Sequence, residues 1–193
     1  MKTTKNTKAK IIEAAWQLFY EKGYEETTVE EIVKQSGTSK GSFYHYFDGK
    51  DSLLGSLAYV FDKQYDELEH EISPEQNRVD VLMFLNRQLF EMIENSIDLE
   101  LLSRLFATQL MSRGEKELLD RNRSYFKLLR RIIAEGQQRG EITKDKSVTE
   151  IVQLYAMAER ALLYDWCLQN GGHSLVSYAA QVMPMFLNPL RIS

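Results

Sequence analysis

Residues 28–47, TVEEIVKQSGTSKGSFYHYF, contain two short helical patterns separated by a break, and they decide the fold of the N-terminal part of the chain. The Thr28 hydroxyl can accept a bond from a free backbone N–H of the first helix, while Glu31, three residues on, can bond back to the Thr28 N–H. Ser36-Gly37-Thr38 interrupts the pattern, and Ser39 can cap a second helix. Two short helices joined by a glycine-containing turn predict a helix-turn-helix.

The second of these helices has the composition of a helix that reads DNA. In a helix-turn-helix the second helix enters the major groove, and its N-terminal residues face the base edges. Here that segment offers a cation at Lys40, close backbone approach at Gly41 and a hydroxyl at Ser42. Phe43 and Phe47 are predicted to anchor the helix to the core. The pattern alone also suits two helices of an ordinary bundle.

The composition favours a globular helical protein. The 193 residues are 44% hydrophobic and 27% charged, both near the globular average. With only 3 Pro and 10 Gly, long helices are easy to build. The single cysteine, Cys167, excludes an internal disulfide framework and a cysteine-rich zinc site, and it suits a reducing compartment. No apolar run reaches the roughly 18 residues of a membrane span, so we expect a soluble cytoplasmic protein without a signal peptide.

Charge is distributed unevenly along the chain. The net charge of −4 argues against a protein that coats nucleic acid in bulk. Residues 1–50 nevertheless carry 8 Lys against 7 acids, and the first ten residues contain Lys2, Lys5, Lys8 and Lys10 without any acid. This basic segment can meet a polyanion, and an ordinary solvated tail is the alternative.

Apolar residues recur at helical spacing along almost the whole chain, so the predicted fold class is all-α with about nine helices and no strand. The first helix should end at Gly23. A long helix should carry the apolar stripe from Leu54 to Ile72 and stop at Ser73-Pro74. Pro184 should kink or end the last helix. The other predicted helices cover about 77–95, 98–112, 115–139 and 147–170, and the last covers about 174–187.

Short motifs follow one another in order through residues 6–66. They are Ile11-Ile12, Ala14-Ala15, Leu18-Phe19, Gly23-Tyr24, Thr27-Thr28-Val29, Ile32, Ser36-Gly37, Ser39-Lys40-Gly41, Phe43-Tyr44, Tyr46-Phe47, Lys50 and Leu53-Leu54. Together they resemble the DNA-binding domain of the TetR/AcrR family of bacterial regulators. The stretch GQQRGEI at 136–142 resembles the end of that family's seventh helix.

The resemblance implies a fold, a function and a division of the chain. Residues 6–66 would form a three-helix DNA-binding domain containing the helix-turn-helix, and residues 67–193 a helical domain that binds a ligand and dimerises. The implied protein is a homodimeric regulator, usually a repressor, that binds a palindromic double-stranded operator. A small apolar or amphipathic molecule would release it, with no cofactor, metal or membrane involved. A regulator without a small-molecule ligand is the alternative.

Nine residues are implied to contact DNA, in three groups. Those near bases or adjacent phosphates are Ser39, Lys40, Gly41 and Ser42. Those expected to grip phosphates are Tyr44, His45 and Lys50, with Gly49 before Lys50 a departure from the family pattern. Those that open the preceding helix, whose N-terminal N–H groups can hold another phosphate, are Thr27 and Thr28. Simple packing for Tyr44, and plain solvation for His45 and Lys50, are the alternatives.

The helix predicted at 147–170 is apolar on two opposed faces, so it must be sandwiched between neighbours. One face serves the chain's own core, and the other has coiled-coil-like spacing that suits a partner helix. With the last helix, this second face resembles the family's four-helix dimer interface, unless one chain covers both faces. The implied interface residues are Leu154, Met157, Ala161, Tyr164, Leu168, Tyr178, Val182 and Phe186.

The C-terminal core contains many large, soft side chains that can line an adaptable apolar cavity, although ordinary core packing is the alternative. The candidate ligand contacts are Phe61, Tyr65, Phe84, Phe106, Phe126, Tyr155 and Glu159. Glu159 falls in the middle of an apolar face, where an isolated carboxylate is costly. Three explanations remain open: ordered water or a raised pKa, a ligand that is cationic or donates hydrogen bonds, or pairing with an arginine such as Arg104, Arg130 or Arg131.

Two other classes of function compete with a regulator. Glu67 and His70 have the Glu-x-x-His spacing of di-iron bundles, but such bundles need the motif twice plus two further inward acids. No phosphate-binding glycine loop or other catalytic constellation is evident, so no enzyme is predicted. A helical adaptor that binds only protein would not need the polar, aromatic second helix.

Overall fold

The computed structural model describes residues 2–111, 113 and 116–192, with side chains from residue 7 onward. Within these ranges the chain forms nine α-helices and no strand, which confirms the all-α prediction. An isolated bridge pairs Ile142 with Arg191. The helices are α1 Lys2–Lys22, α2 Val29–Ser36, α3 Lys40–Tyr46, α4 Leu57–Leu68, α5 Arg78–Ser96, α6 Leu99–Met111, α7 Ser124–Arg139, α8 Val148–Leu168 and α9 Leu175–Leu187.

The described residues fall into two compact units. The first unit combines residues 1–58 with residues 104–118, and the second unit combines residues 59–103 with residues 119–193. The chain passes from one unit to the other three times: within α4, within α6 and after Leu118. This division differs from the expected one at residue 66, because the break falls after Ala58 and a later segment belongs to the first unit.

Local signals set the helix ends of the first unit where the sequence predicts them. Gly23, with φ of 91°, follows α1, and Gly37, with φ of 63°, ends α2. In this left-handed region glycine meets no Cβ penalty. Below these turns, Ile11, Ile32 and Phe43 are fully buried and form the core that α1, α2 and α3 share.

The predicted bounds of two helices are wrong. The stripe from Leu54 to Ile72 is not one α-helix: a 3-10 helix covers Lys50–Ser56, α4 follows, and a 3-10 turn covers Glu69–Glu71. The Ser56 hydroxyl donates to the Leu53 carbonyl at 2.5 Å and so competes with the α-helical pattern.

The helix predicted at 115–139 begins only at Ser124, and residue 115 lies outside the described residues. A 3-10 turn covers Glu117–Leu119, and the Asp120 side chain then accepts the Asn122 N–H at 2.9 Å. In this turn the Asp120 carboxylate accepts a hydrogen bond in place of a backbone carbonyl. The turn interrupts the helix. Leu119, which falls within the predicted helix, is exposed.

In the second unit, α5 packs against α7 and α9, and α8 packs against the same two helices. Pro184 does not end α9, which continues to Leu187 before a 3-10 turn over Asn188–Leu190. None of the helices among the described residues has the length and apolar character needed to cross a membrane.

Candidate functional site

The first helix of the helix-turn-helix is closed by a reciprocal pair of hydrogen bonds. The Thr28 hydroxyl oxygen accepts the Glu31 N–H at 3.3 Å, and a Glu31 carboxylate oxygen accepts the Thr28 N–H at 2.9 Å. This capping box was predicted from the sequence and fixes where α2 begins. A bond from the Lys22 ammonium, together with those from Thr28, lowers the Glu31 pKa to about 2.

The second helix, α3, is capped and anchored so that one row of its side chains remains outside. The Ser39 hydroxyl accepts the Ser42 N–H at 3.0 Å, which makes Ser39 the N-cap residue. Phe43 and Phe47 are buried, as predicted, and hold the inner face of α3. The outer row consists of Lys40, Gly41, Tyr44 and His45, all exposed, with Ser42 half-buried beside them.

Lys40, which comes first in this row, carries an ion pair with α2. Its ammonium lies 2.6 Å from a carboxylate oxygen of Glu30, and both side chains are exposed. The bond raises the pKa of Lys40 and lowers the pKa of Glu30. Tyr44 follows one turn later with 49% of its surface exposed, and its ring packs edge-on against Phe43 at a centroid distance of 5.3 Å.

Thr27 and Lys50 hold the turn between α1 and α2. The Thr27 side chain is buried, and its hydroxyl donates to the Gly23 carbonyl at 2.8 Å, so this hydroxyl is not part of the exposed surface. The Lys50 ammonium donates to the Tyr24 and Glu25 carbonyls at 2.7 and 3.2 Å and lies 4.3 Å from the Tyr24 ring centroid. Lys50 is therefore half-buried, with one N–H of its ammonium left over for another acceptor.

Glu159 occupies a second constellation, inside the second unit. Its carboxylate accepts the Tyr125 hydroxyl at 2.7 Å and the Asn86 amide at 3.0 Å, and the Tyr65 hydroxyl lies 3.4 Å away. We call these four residues, contributed by α4, α5, α7 and α8, the Glu159 cluster. Burial raises the Glu159 pKa, while the bonds from Asn86 and the tyrosines oppose that shift.

The cluster answers one of the alternatives left open by the sequence. Pairing of Glu159 with an arginine is wrong, since neutral donors from three other helices surround the carboxylate. Arg104 pairs with Glu25, Arg131 pairs with Glu69, and Arg130 donates to the Arg121 carbonyl at 3.0 Å. Even Tyr125, the donor nearest in sequence, lies 34 residues from Glu159, so no pattern in the neighbouring sequence identifies the partners of this carboxylate.

Sequence reasoning also missed a nearby ion pair. The Arg123 guanidinium binds the Asp62 carboxylate through two nitrogens, at 2.9 and 3.1 Å, and both side chains are nearly buried. Arg123 immediately precedes α7, so the pair fixes the start of that helix to α4. The only sequence signal was an acid on the inner stripe of α4.

The structure brings most of the predicted ligand contacts into one unit. Phe61, Tyr65, Phe126 and Tyr155 are buried in the second unit with Glu159, and Phe84 is half-buried there. The Tyr155 hydroxyl donates to the Leu82 carbonyl at 2.9 Å. Phe106 is buried and belongs to the first unit.

The outer side of α8 carries an apolar row that the described residues of the chain leave uncovered. Leu154, Met157, Tyr164 and Leu168 are exposed, Leu168 by 63%. Their spacing is the one predicted for a partner helix, and the opposite side of α8 faces the core. We call the following set the outer apolar face: Leu154, Met157, Ala161, Tyr164 and Leu168 of α8 with Tyr178, Val182 and Phe186 of α9.

The di-iron alternative finds no support in the described part of the chain. Glu67 and His70 are both exposed, and no group of three or more potential metal-ligating side chains occurs among the described residues.

A capped helix-turn-helix with an exposed polar second helix, together with an all-helical second unit, defines a DNA-binding regulator of the helix-turn-helix class. Family comparisons agree with this geometry. The model for bacterial regulatory proteins of the tetR family matches residues 11–57, and the model for the YsiA-like protein C-terminal region matches residues 60–188. The chain therefore belongs to the TetR family of bacterial regulatory proteins, and its relatives are transcriptional regulators rather than enzymes.

Individual relatives extend over almost the whole chain. The fatty acid metabolism regulator protein of Bacillus subtilis is 24% identical over 189 residues, which is 97% of both chains. The structure of FadR from Bacillus subtilis in complex with stearoyl-CoA aligns with a TM-score of 0.67 at 24% identity, over 93% of this chain and 97% of that one. Thermus thermophilus FadR in complex with lauroyl-CoA aligns with a TM-score of 0.71 at 21% identity, over 96% and 95% of the two chains.

Proposed function

We propose that this regulator is a repressor that binds a palindromic operator as a homodimer, reads it with α3, and is released by a small apolar or amphipathic molecule of the acyl-CoA class. The observation that carries the proposal is the exposed polar row of α3, held outward by a cap at Ser39 and a buried anchor at Phe43. A helix held in this way presents fixed donors to the major groove. Because the partner is chromosomal DNA, the protein would act in the cytoplasm.

In this proposal the surface residues divide between bases and phosphates. Lys40, Gly41 and Ser42 approach base edges or adjacent phosphates, with Ser39 positioning them as the cap of α3. The small size of Gly41 and Ser42 lets the backbone come close to the groove. The phosphate contacts fall to Tyr44, His45, Lys50 and the N-terminal end of α2 at Thr28. Thr27 supports the turn from inside.

The outer apolar face is the proposed dimer interface. An uncovered apolar surface of this kind on two adjacent helices is unusual for a monomer, and two half-sites on DNA require two linked recognition helices. Met157 and Leu168 lie on the row that a second copy would cover. Helices α8 and α9 from each subunit would then form a four-helix interface.

The effector class rests on the relatives together with the interior of the second unit. The Bacillus subtilis and Thermus thermophilus proteins hold stearoyl-CoA and lauroyl-CoA, respectively. The second unit of this chain is rich in buried aromatic side chains, among them Phe61, Phe126 and Tyr155, which suit a long apolar chain. Tyr65, Phe84 and Glu159 complete the proposed ligand contacts.

The main experiment selects DNA from fragmented genomic DNA with the purified protein at two salt concentrations. A few fragments should be retained, and affinity should fall steeply as salt rises.

Lys40→Ala and Tyr44→Ala should each weaken binding to a recovered operator by about 1–3 kcal/mol. Lys127→Ala removes an exposed lysine of α7 as the matched control. Unchanged affinity in the double Lys40→Ala, Tyr44→Ala variant would overturn the assignment of α3.

The dimer is tested by placing charge on the outer apolar face. A Met157→Glu, Leu168→Glu double variant should run as a monomer in sedimentation and lose tight operator binding, because association would bury unpaired carboxylates. Leu110→Glu with Leu119→Glu places the same charge on exposed apolar positions outside α8 and α9 and should stay dimeric. A dimeric Met157→Glu, Leu168→Glu protein would place the interface elsewhere.

The effector class is tested on the protein–operator complex with stearoyl-CoA, lauroyl-CoA and CoA without an acyl chain. The acylated compounds should release the operator and raise the melting temperature of the protein, since a ligand that binds only the folded state stabilises it. CoA alone should do neither. Release by none of the three would reject this effector class without affecting the DNA-binding proposal.

A further inference from the structure

The DNA-facing cation of α3 already has an acidic partner in the protein without DNA. The Lys40 ammonium and the Glu30 carboxylate are 2.6 Å apart, although the two side chains are 59% and 67% exposed. The pair joins α2 to α3 across the turn of the helix-turn-helix, ten residues apart in sequence. It contributes little to holding these helices together, because Phe43 and Ile32 are fully buried between them and exposed pairs stabilise weakly.

An acid in this position matters more for binding than for folding. A lysine ammonium interacts with a base edge or phosphate through the same N–H groups that it offers to a carboxylate. An approaching phosphate or base acceptor must therefore compete with Glu30 for Lys40. Once displaced, the Glu30 carboxylate remains exposed beside a polyanion and must find another cation from solution.

We propose that Glu30 limits operator affinity by occupying Lys40 in the protein without DNA, so that DNA binding has to exchange the carboxylate for an acceptor on the DNA. The inference rests on the proposed function of α3 and adds to it a residue that opposes binding. The other acid of α2 is placed differently: Glu31 is engaged by Thr28 and Lys22 and has no bond to α3 among the described contacts.

The size of the effect follows from what exposed ion pairs are worth. One such pair changes an equilibrium constant by about 1.4- to 5-fold. A dimer breaks two of them on an operator with two half-sites, so removing both should tighten binding by about 2- to 25-fold. The salt dependence should change as well, because the displaced carboxylate takes up a cation that partly cancels the counterion released from DNA. Without Glu30, the slope of log K against log salt should therefore be steeper than the parent's.

The first experiment measures Glu30→Gln on the operator recovered from the genomic selection and on an unrelated duplex of equal length. The variant should bind both duplexes more tightly and show the steeper salt slope. Glu13→Gln, which removes an exposed acid from α1 and changes the net charge equally, is the matched control and should show neither change. Circular dichroism and thermal melting check that α2 is intact. An affinity and slope equal to the parent's would overturn the inference.

The second experiment repeats the substitution in a Lys40→Ala background. If Glu30 acts by occupying Lys40, Glu30→Gln should give no further gain once the lysine is absent. A gain of equal size in both backgrounds would overturn the proposal, because Glu30 would then act by general repulsion of phosphates. Lys40→Ala without effect rejects the role of Lys40 in DNA binding, whereas weakening by Lys40→Ala without tightening by Glu30→Gln rejects only the role of Glu30.

Discussion

The helix-turn-helix and the Glu159 cluster are both held by carboxylates that accept several hydrogen bonds, but the bonds span very different distances along the chain. In α2 the partners of Glu31 include Thr28, three residues away, at the surface. Around Glu159 the partners are 34 to 94 residues away and buried. One arrangement sets the end of a helix, whereas the other ties four helices to a single point.

The same chemical group therefore acquires opposite properties in the two places. Exposed donors stabilise the charge of Glu31 and hold its pKa low, at about 2. At Glu159 the loss of water outweighs the donors, and the pKa rises. Donors that lose a surface carboxylate can bond to water instead. Donors that lose a buried carboxylate are left without an acceptor, which costs free energy.

The largest expected effect tests whether local bonds alone hold the helix-turn-helix together. Phe43→Ala should destabilise the protein by about 3–5 kcal/mol, because it empties a fully buried site between α1, α2 and α3. Its neighbour Tyr44 is half exposed, so Tyr44→Ala should barely alter stability while weakening DNA binding. Urea unfolding of both variants makes the comparison. Similar losses of stability for the two would show that α3 is held differently.

The next effect tests the Glu159 cluster. Tyr125→Phe removes the shortest bond to the carboxylate and should cost about 1–3 kcal/mol, because a buried acceptor loses a partner. Tyr59→Phe removes an exposed hydroxyl and should leave the unfolding midpoint within error. If Tyr125→Phe is equally harmless, the cluster does not depend on each of its donors.

A smaller effect compares two caps in different units. Thr28→Ala and Ser147→Ala each remove the side chain of a capping box, at the start of α2 and of α8, and each should cost about 1 kcal/mol. Nearly equal values in equilibrium unfolding would show that a local signal has the same strength in either unit. A much larger loss at one site would mean that its cap also carries tertiary contacts.

The smallest effect is the pH dependence of stability, which should have opposite signs for the two carboxylates. Glu31 has a lowered pKa, so its contribution is present above the ordinary value of 4.5 and is lost as pH falls toward about 2. Glu159 has a raised pKa, so the folded protein holds a proton that the unfolded chain releases, and stability declines as pH rises above 4.5 toward the folded pKa. Glu31→Gln should weaken the loss of stability that occurs as the pH falls below 4.5. Glu159→Gln should weaken the loss of stability that occurs as the pH rises above 4.5. Unfolding midpoints of both variants should be measured across pH 2–8. The expected opposite signs would be contradicted if both variants altered stability over the same part of that pH range.

The sequence predicted best what depends on neighbours along the chain. The capping box at Thr28, the turn at Gly37 and the cap at Ser39 all follow from residues within three or four positions, and each is confirmed. The two opposed faces of α8 followed from periodicity alone, and the structure confirms one buried face and one exposed face.

Prediction failed where tertiary contacts or short polar side chains overrode the apolar pattern. The stripe beginning at Leu54 does not reveal that residues 50–56 form a 3-10 helix, in which the Ser56 hydroxyl donates to the Leu53 carbonyl. Glu159 was correctly placed on the inner face, but the sequence does not identify Asn86 and Tyr125 as its donors, because both are distant from it along the chain. The contacts of DNA-binding, ligand and dimer residues stay predictions, because they involve molecules outside the chain.

The discontinuous first unit has a consequence for the synthesis of the protein on the ribosome. Its helix-turn-helix emerges early, but residues 104–118 belong to the same unit, with Arg104 bound to Glu25 and Glu117 packed 2.9 Å from the position of a Cβ on Gly55. At roughly 5–20 residues per second, translation needs several more seconds to supply that segment after residue 58. The first unit, including its helix-turn-helix, is therefore incomplete until residues 59–103 of the second unit have also been made. A chain cut short before residue 104 would carry every proposed DNA contact and still lack part of the unit that presents them.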